Sequence, residues 1–249
     1  MNPHTKFEAD CEIEIKKQGK DNSLKQSSIN WLKEANTHKY SYHFSWMGRP
    51  IIQYPQDIVA MQELIWKIQP TLIIETGIAH GGSLIFSASI LELNAICGGE
   101  PNAKVLGIDI DIRSHNREAI ESHPMSRRIE MIQGSSTSAE IIKQVETRAR
   151  GEARVLVCLD SNHTHEHVLS ELEAYAPLVT PNSYCVVFDT VVEDFPKEMF
   201  KDRPWGPGDN PKTAVHQYIK GNSSFVIDRT IQDKLLLTVA PDGFLKRIS

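Results

Sequence analysis

A chain of 249 residues with a formal net charge of −5 and interspersed acidic and basic residues can bury one substantial core and lacks the basic stripe a nucleic-acid backbone requires. No apolar run approaches bilayer length, and the opening MNPHTKFEADCEIEIKKQGK has no signal-peptide core, so a cytoplasmic protein without a membrane span is expected. Cys11, Cys97, Cys158 and Cys185 form no CxxC pair, which indicates neither a disulfide framework nor a zinc knuckle; Cys158 and Cys185 sit in apolar runs and read as buried thiols.

Residues 1–54 read as an N-terminal arm, polar and irregular, with a short helix at 29–35 and an aromatic cluster over 40–55. It is expected to pack on the main domain or on an oligomer partner. From Pro55 onward Ile58, Met61, Leu64, Ile65 and Ile68 recur at spacings of three and four, which predicts a helix with proline in its first turn. Nearly continuous apolar runs at 71–75, 104–109, 129–133, 154–160 and 184–189 predict strands covered on both faces. Helical spacing fills 83–93, 114–122, 137–149 and 164–176, and 224–228 with 234–240 reads as a closing hairpin. The alternation predicts an α/β, Rossmann-like fold over 55–249: a seven-stranded, mostly parallel sheet with one antiparallel strand and helices on both faces.

The first strand runs into TLIIETGIAHGGS, at the sheet edge where open α/β folds bind ligands. Gly77 permits a sharp turn, and Gly81 with Gly82 permits close approach just before a helix whose amides face an anion. The loop lacks the lysine of a P-loop and the spacing of the dinucleotide fingerprint. Glu75 would repel a pyrophosphate but accept from an ammonium group, so with Ser83 it suits an amino-acid zwitterion. Asp109, ending the second strand, suits two ribose hydroxyls. Ser135 and Ser136 after the third suit an adenine edge. A nucleoside with an amino-acid tail and no phosphate is S-adenosylmethionine, although each element alone also reads as an ordinary strand-end turn.

TLIIETGIAHGGS, VLGIDIDIR, LDSNHTHEHVL and TVAPDGFLKR resemble the cephalosporin hydroxylase family, which includes rhamnosyl O-methyltransferases and is similar to metal-dependent macrolide sugar O-methyltransferases. The resemblance begins near Tyr54. It implies a class I methyltransferase fold, S-adenosylmethionine, Mg²⁺, a sugar or sugar-conjugate acceptor and a homo-oligomer. Asp160 and Asp189 end adjacent parallel strands, as a pair of carboxylates holding Mg²⁺ would. The resemblance makes His163, three residues after Asp160, the base that takes the acceptor proton. Relatives carry Glu-Asp where this chain has Phe188-Asp189; Glu193 or Asp194 replaces the missing ligand if the loop folds back, and water fills it otherwise. His165 and His167 read as solvated residues at a helix start.

The Pro- and Gly-rich stretch from Asp202 leads to a helix starting at Asn210-Pro211. Trp205 stacks on a sugar or adenine, or anchors the loop. Arg203 or Lys212 suits an anionic group, and Trp46 and Arg49 are further candidates for the acceptor pocket. The leading expectation is an S-adenosylmethionine-dependent sugar O-methyltransferase. The alternatives are a nicotinamide-dependent oxidoreductase, an iron-dependent hydroxylase, and a non-catalytic S-adenosylmethionine-binding protein.

Overall fold

The computed structural model describes residues 2–249. Its first segment is helical rather than irregular: α1 (Pro3–Gln18) and α2 (Asn22–Thr37) are capped by the side chains of Asn2 and Asp21, each accepting a backbone N–H at 2.9 Å. Capping residues that satisfy orphan amides are the signal passed over here. The apolar pattern hid it, because α1 buries no residue and leaves Phe7 66% exposed. In α2, Leu32 is buried against the main core.

A small antiparallel hairpin follows, β1 (Phe44–Trp46) with β2 (Arg49–Ile51), then α3 (Pro55–Ile68). The main sheet alternates with helices: β3 (Leu72–Thr76), α4 (Gly82–Ile96), β4 (Lys104–Asp109), α5 (Ser114–Glu121), β5 (Ile129–Gln133), α6 (Ala139–Ala149), β6 (Val155–Leu159), α7 (His165–Tyr175) and β7 (Tyr184–Val187). The chain ends with α8 (Pro211–Gly221), β8 (Phe225–Ile227), α9 (Arg229–Leu235) and β9 (Phe244–Arg247). Strand order across the sheet is β5-β4-β3-β6-β7-β9-β8, with β9 alone running against its neighbours.

Successive side chains of a strand point to opposite faces, and the two cores follow from that alternation. Ile73, Val105, Leu156 and Val186 join α3 and α4 on one face. Leu72, Ile74, Leu106, Val157 and Val187 join α6, α7 and α8 on the other. Strands buried on both faces explain the continuous apolar runs.

The expected strand at 234–240 is not formed. Its first residues complete α9, and the hairpin partner is β9. Asp57 of α3, fully buried, accepts a bond from the Thr238 hydroxyl and one of 3.0 Å from the Val239 amide. Those groups are held by a side chain, and the apolar Leu235 and Leu237 pack on the core instead of alternating across a sheet. Burial raises the Asp57 carboxyl to a pKa of about 7.

Among the described residues no helix is long and apolar enough to cross a membrane. Strand order reverses between β3 and β6, which places a crevice at their carboxyl ends.

Candidate active site

The loop after β3 is held in shape from three sides. Gly77 has φ +89°, and a Cβ there would lie 2.0 Å from the Asp160 carbonyl oxygen. A Cβ on Gly82 would lie 2.1 Å from the Pro50 carbonyl oxygen, and one on Gly81 would meet Ile120. What approaches these glycines is the protein's own backbone and side chains, so close packing, not a ligand, accounts for Gly81 and Gly82. Ala79 takes a left-handed conformation, φ +45°, of the kind that persists only where surroundings enforce it. Here Asp109 Oδ2 accepts from the Ile78 amide at 2.8 Å and the Ala79 amide at 3.3 Å. The buried Asn116 donates to the Ala79 carbonyl at 2.9 Å, and Arg49 from β2 donates twice to the His80 carbonyl, at 3.0 and 2.6 Å. Arg49 also donates to Asn116 Oδ1 at 3.0 Å.

Helix α4 starts with no side-chain cap, so its first amides remain available to an anion. The loop and this helix end form one wall of a cavity of about 660 Å³. Asp160 and Asp189, beyond β6 and β7, and His163 lie on the same cavity. All three are half-buried, with possible ligand atoms within 4.8 Å of one another, and His163 Nε2 is 3.2 Å from Asp189 Oδ2. Asp189 also has a positive φ, +55°. Loss of solvation pushes the Asp160 carboxyl well above its ordinary range, and the charges of Asp189, Glu75 and Glu171 push it further. Crowded carboxylates beside an imidazole are a donor set that a divalent cation would relieve, and two carboxylates suffice for Mg²⁺ with water completing its shell.

Among the sequence-predicted residues the cavity wall unites Gly77, Gly82, Ser83, Asp160, His163, Asp189, Arg203 and Trp205. The others lie off it. Glu75 is 5% exposed and accepts a bond from the Ser83 hydroxyl; burial raises it to a pKa of about 7. Asp109 accepts a third N–H, from Asp111 at 3.0 Å, so of about four carboxylate lone-pair sites one remains for a ribose hydroxyl. Ser135 pairs with Thr137 at 3.1 Å. Ser136 donates to the buried Glu171 at 2.5 Å. Glu193 is outside the metal-capable cluster, accepting from the Gly208 amide at 2.8 Å and from the Asn210 side chain.

His165 and His167 are half-buried and hydrogen-bonded rather than freely solvated. His165 hydrogen-bonds Thr213 and Gln217 of α8, at 2.7 and 3.0 Å. His167 lies 3.1 Å from Ser161 Oγ and 3.3 Å from Glu171 Oε1. Trp46 packs edge-on against Phe86 and donates to Ser89 at 2.9 Å, away from the cavity. Lys212 is paired with Asp194 at 2.5 Å. Sequence reasoning missed the contribution of the first segment to the wall: Asn36, Lys39, Tyr42, Gln53 and Tyr54. The aromatic run over 40–55 was the one signal, and it carried no information on which side chains face inward.

A family model described as rhamnosyl O-methyltransferase/CmcI matches residues 38–248. The chain belongs to this family. The rhamnosyl O-methyltransferase of Mycobacterium bovis (strain BCG / Pasteur 1173P2) is 30% identical over 209 residues, covering 82% of this chain and 78% of the relative. That of Mycobacterium leprae (strain TN) is 30% identical over 208 residues, covering 82% of each. A solved structure of CmcI with Mg and SAM superposes with a TM-score of 0.57 at 17% identity, over 84% of this chain and 78% of that one. An O-methyltransferase from Bacillus cereus in complex with SAH reaches 0.50 at 14% identity, over 80% and 81%. Both structures share the fold of this family member. Its cluster of one histidine and two carboxylates is the inverse of the two-histidine, one-carboxylate set of non-haem iron oxygenases.

Proposed function

We propose that this protein is an S-adenosylmethionine-dependent O-methyltransferase acting on a sugar hydroxyl, with Mg²⁺ held by Asp160 and Asp189. The observation that carries the reading is the convergence of the uncapped start of α4 and the Asp160–His163–Asp189 cluster on one cavity. The curated relatives are named for rhamnosyl O-methyl transfer, which supports a sugar as acceptor.

In this reading the free amides of α4 bind the methionine carboxylate, and Ser83 places a hydroxyl beside the same tail. Asp109 uses its remaining acceptor site for the ribose, and the Ser135–Ser136 turn borders the adenine. A divalent cation held by the two aspartates would supply Lewis acidity, favouring loss of the acceptor's hydroxyl proton. Mg²⁺ prefers oxygen donors, which leaves His163 free as the base. With Nε2–H donated to Asp189 Oδ2 at 3.2 Å, Nδ1 is the basic nitrogen that accepts the hydroxyl proton. The Asp189 carboxylate then stabilises the imidazolium. A positioned base of this kind contributes about 10²–10⁴-fold.

The test is transfer of a labelled methyl group to a panel of sugars, with and without chelator, alongside calorimetric binding of S-adenosylmethionine. Absence of cofactor binding defeats the proposal. Transfer unaffected by chelator removes the metal and leaves His163 as the sole activating group.

A further inference from the structure

Resting on that reading of the cavity, we propose that the acceptor sugar carries a phosphate ester about one ring away from the methylated hydroxyl, and that Arg203 and Lys39 bind it. The loop leading to α8 places Arg203 on the cavity wall with Trp205. The Arg203 guanidinium lies over the Trp205 ring, 5.3 Å from its centroid, and Trp205 in turn meets the His163 ring edge-on at 4.9 Å. One indole therefore joins the base to the cation, and the guanidinium carbon lies within about 10 Å of the imidazole. Stacking occupies the flat face of a guanidinium and leaves its in-plane N–H donors free. That fork matches a phosphate bidentately.

Three other cations near the site are committed. Lys212 is ion-paired with Asp194, Arg113 faces Asp111, and Arg49 is spent on the loop after β3. Among the described residues Arg203 and Lys39 form no ion pair; both are exposed and both line the cavity, Lys39 from the segment between α2 and β1. Lys39 is held there in a left-handed conformation, φ +53°. The cavity wall thus carries Asp160 and Asp189 beside His163 and, from two other segments, two cations without an ion pair. A phosphorylated sugar enters with its anion toward Arg203 and Lys39 and a hydroxyl toward His163; the reverse pose sets phosphate against carboxylates. A neutral sugar gains no such orientation. Sugar 1-phosphates, nucleoside-diphosphate sugars and lipid-phosphate sugars share this chemistry.

Binding to the protein loaded with S-adenosylhomocysteine is measured by calorimetry for free hexoses, methyl hexosides, hexose 1-phosphates and nucleoside-diphosphate hexoses, with a short-chain prenyl-phosphate hexose as the lipid arm. Phosphorylated sugars are expected to bind about tenfold or more tightly than their neutral counterparts, less so at high salt. Arg203→Ala and Lys39→Ala are each expected to reduce that preference about tenfold, raise the acceptor KM, and leave the affinity for S-adenosylmethionine unchanged; Arg203→Lys recovers part of it. Equal binding of neutral and phosphorylated sugars, no binding of phosphorylated sugars, or an undiminished preference in Arg203→Ala overturns the proposal. Failure of S-adenosylmethionine itself to bind is a separate result that defeats the methyltransferase reading.

Discussion

Replacing Arg49 by alanine tests whether the loop after β3 is positioned from outside the main sheet. The guanidinium makes three contacts: Nε and Nη2 to the His80 carbonyl, and Nη2 to Asn116 Oδ1. The His80 carbonyl can exchange its donors for water at little cost. Asn116 is 4% exposed, and a buried acceptor left without its donor costs about 1–3 kcal/mol. Asn116 also holds the Ala79 carbonyl, so the penalty falls on the loop's left-handed residue and is expressed as loosening of the loop. Since 1.4 kcal/mol is tenfold in affinity, calorimetry is expected to show S-adenosylmethionine binding weakened by roughly 10- to 100-fold, with little loss of kcat at saturation. Arg49→Lys places one donor but no fork, so it recovers part of the affinity. Wild-type cofactor affinity in Arg49→Ala, with an intact melting transition, refutes the reasoning.

Three further outcomes are expected. Asp160→Asn removes a carboxylate crowded by Asp189, Glu75 and Glu171, so methyl transfer falls on the order of a hundredfold or more while the melting temperature rises; a fall in both contradicts the electrostatic account. Gly77→Ala combines a left-handed backbone with a Cβ 2.0 Å from the Asp160 carbonyl. The backbone term alone is roughly 1–2 kcal/mol, so calorimetry should detect lost cofactor binding together with a lower melting temperature. Asp57 has its folded pKa raised from 3.8 to about 7. Between those values the folded state retains a proton that the unfolded chain has released, so this group's stabilisation, full below the unfolded value, is lost as pH rises through about 7. Melting scans from pH 5 to 8 should show Asp57→Asn gaining on wild type as pH rises; a constant difference between them removes Asp57 as the cause.

The strands of the main sheet were legible because burial on both faces leaves continuous apolar runs such as 72–74 and 155–159. The strand-end carboxylates Asp160 and Asp189 were legible for the same reason, since adjacent parallel strands end at the same edge. Local pattern fails where a distant side chain takes the backbone, as Asp57 does at Thr238 and Val239. It fails also for α1, whose helix is signalled by Asn2 and Pro3 rather than by an apolar face. Arg49 was read as a candidate for the acceptor pocket from its place in the aromatic cluster over 40–55; that its donors go to His80 and Asn116 depends on tertiary contacts no spacing encodes. Phe188 remains on the cavity wall, and Glu193, the candidate replacement for the carboxylate expected there, is occupied with Gly208 and Asn210.

The position of β9 between β7 and β8 has a consequence for assembly during synthesis. β8 emerges from the ribosome first, yet its ladder in the sheet is with β9, so it has no strand partner until Phe244 and Leu245 have been made. Until then the flank of β7 stays open as an unpaired edge, the kind of template that recruits foreign strands. Premature termination within 236–243 should therefore yield a sticky product rather than a slightly smaller enzyme.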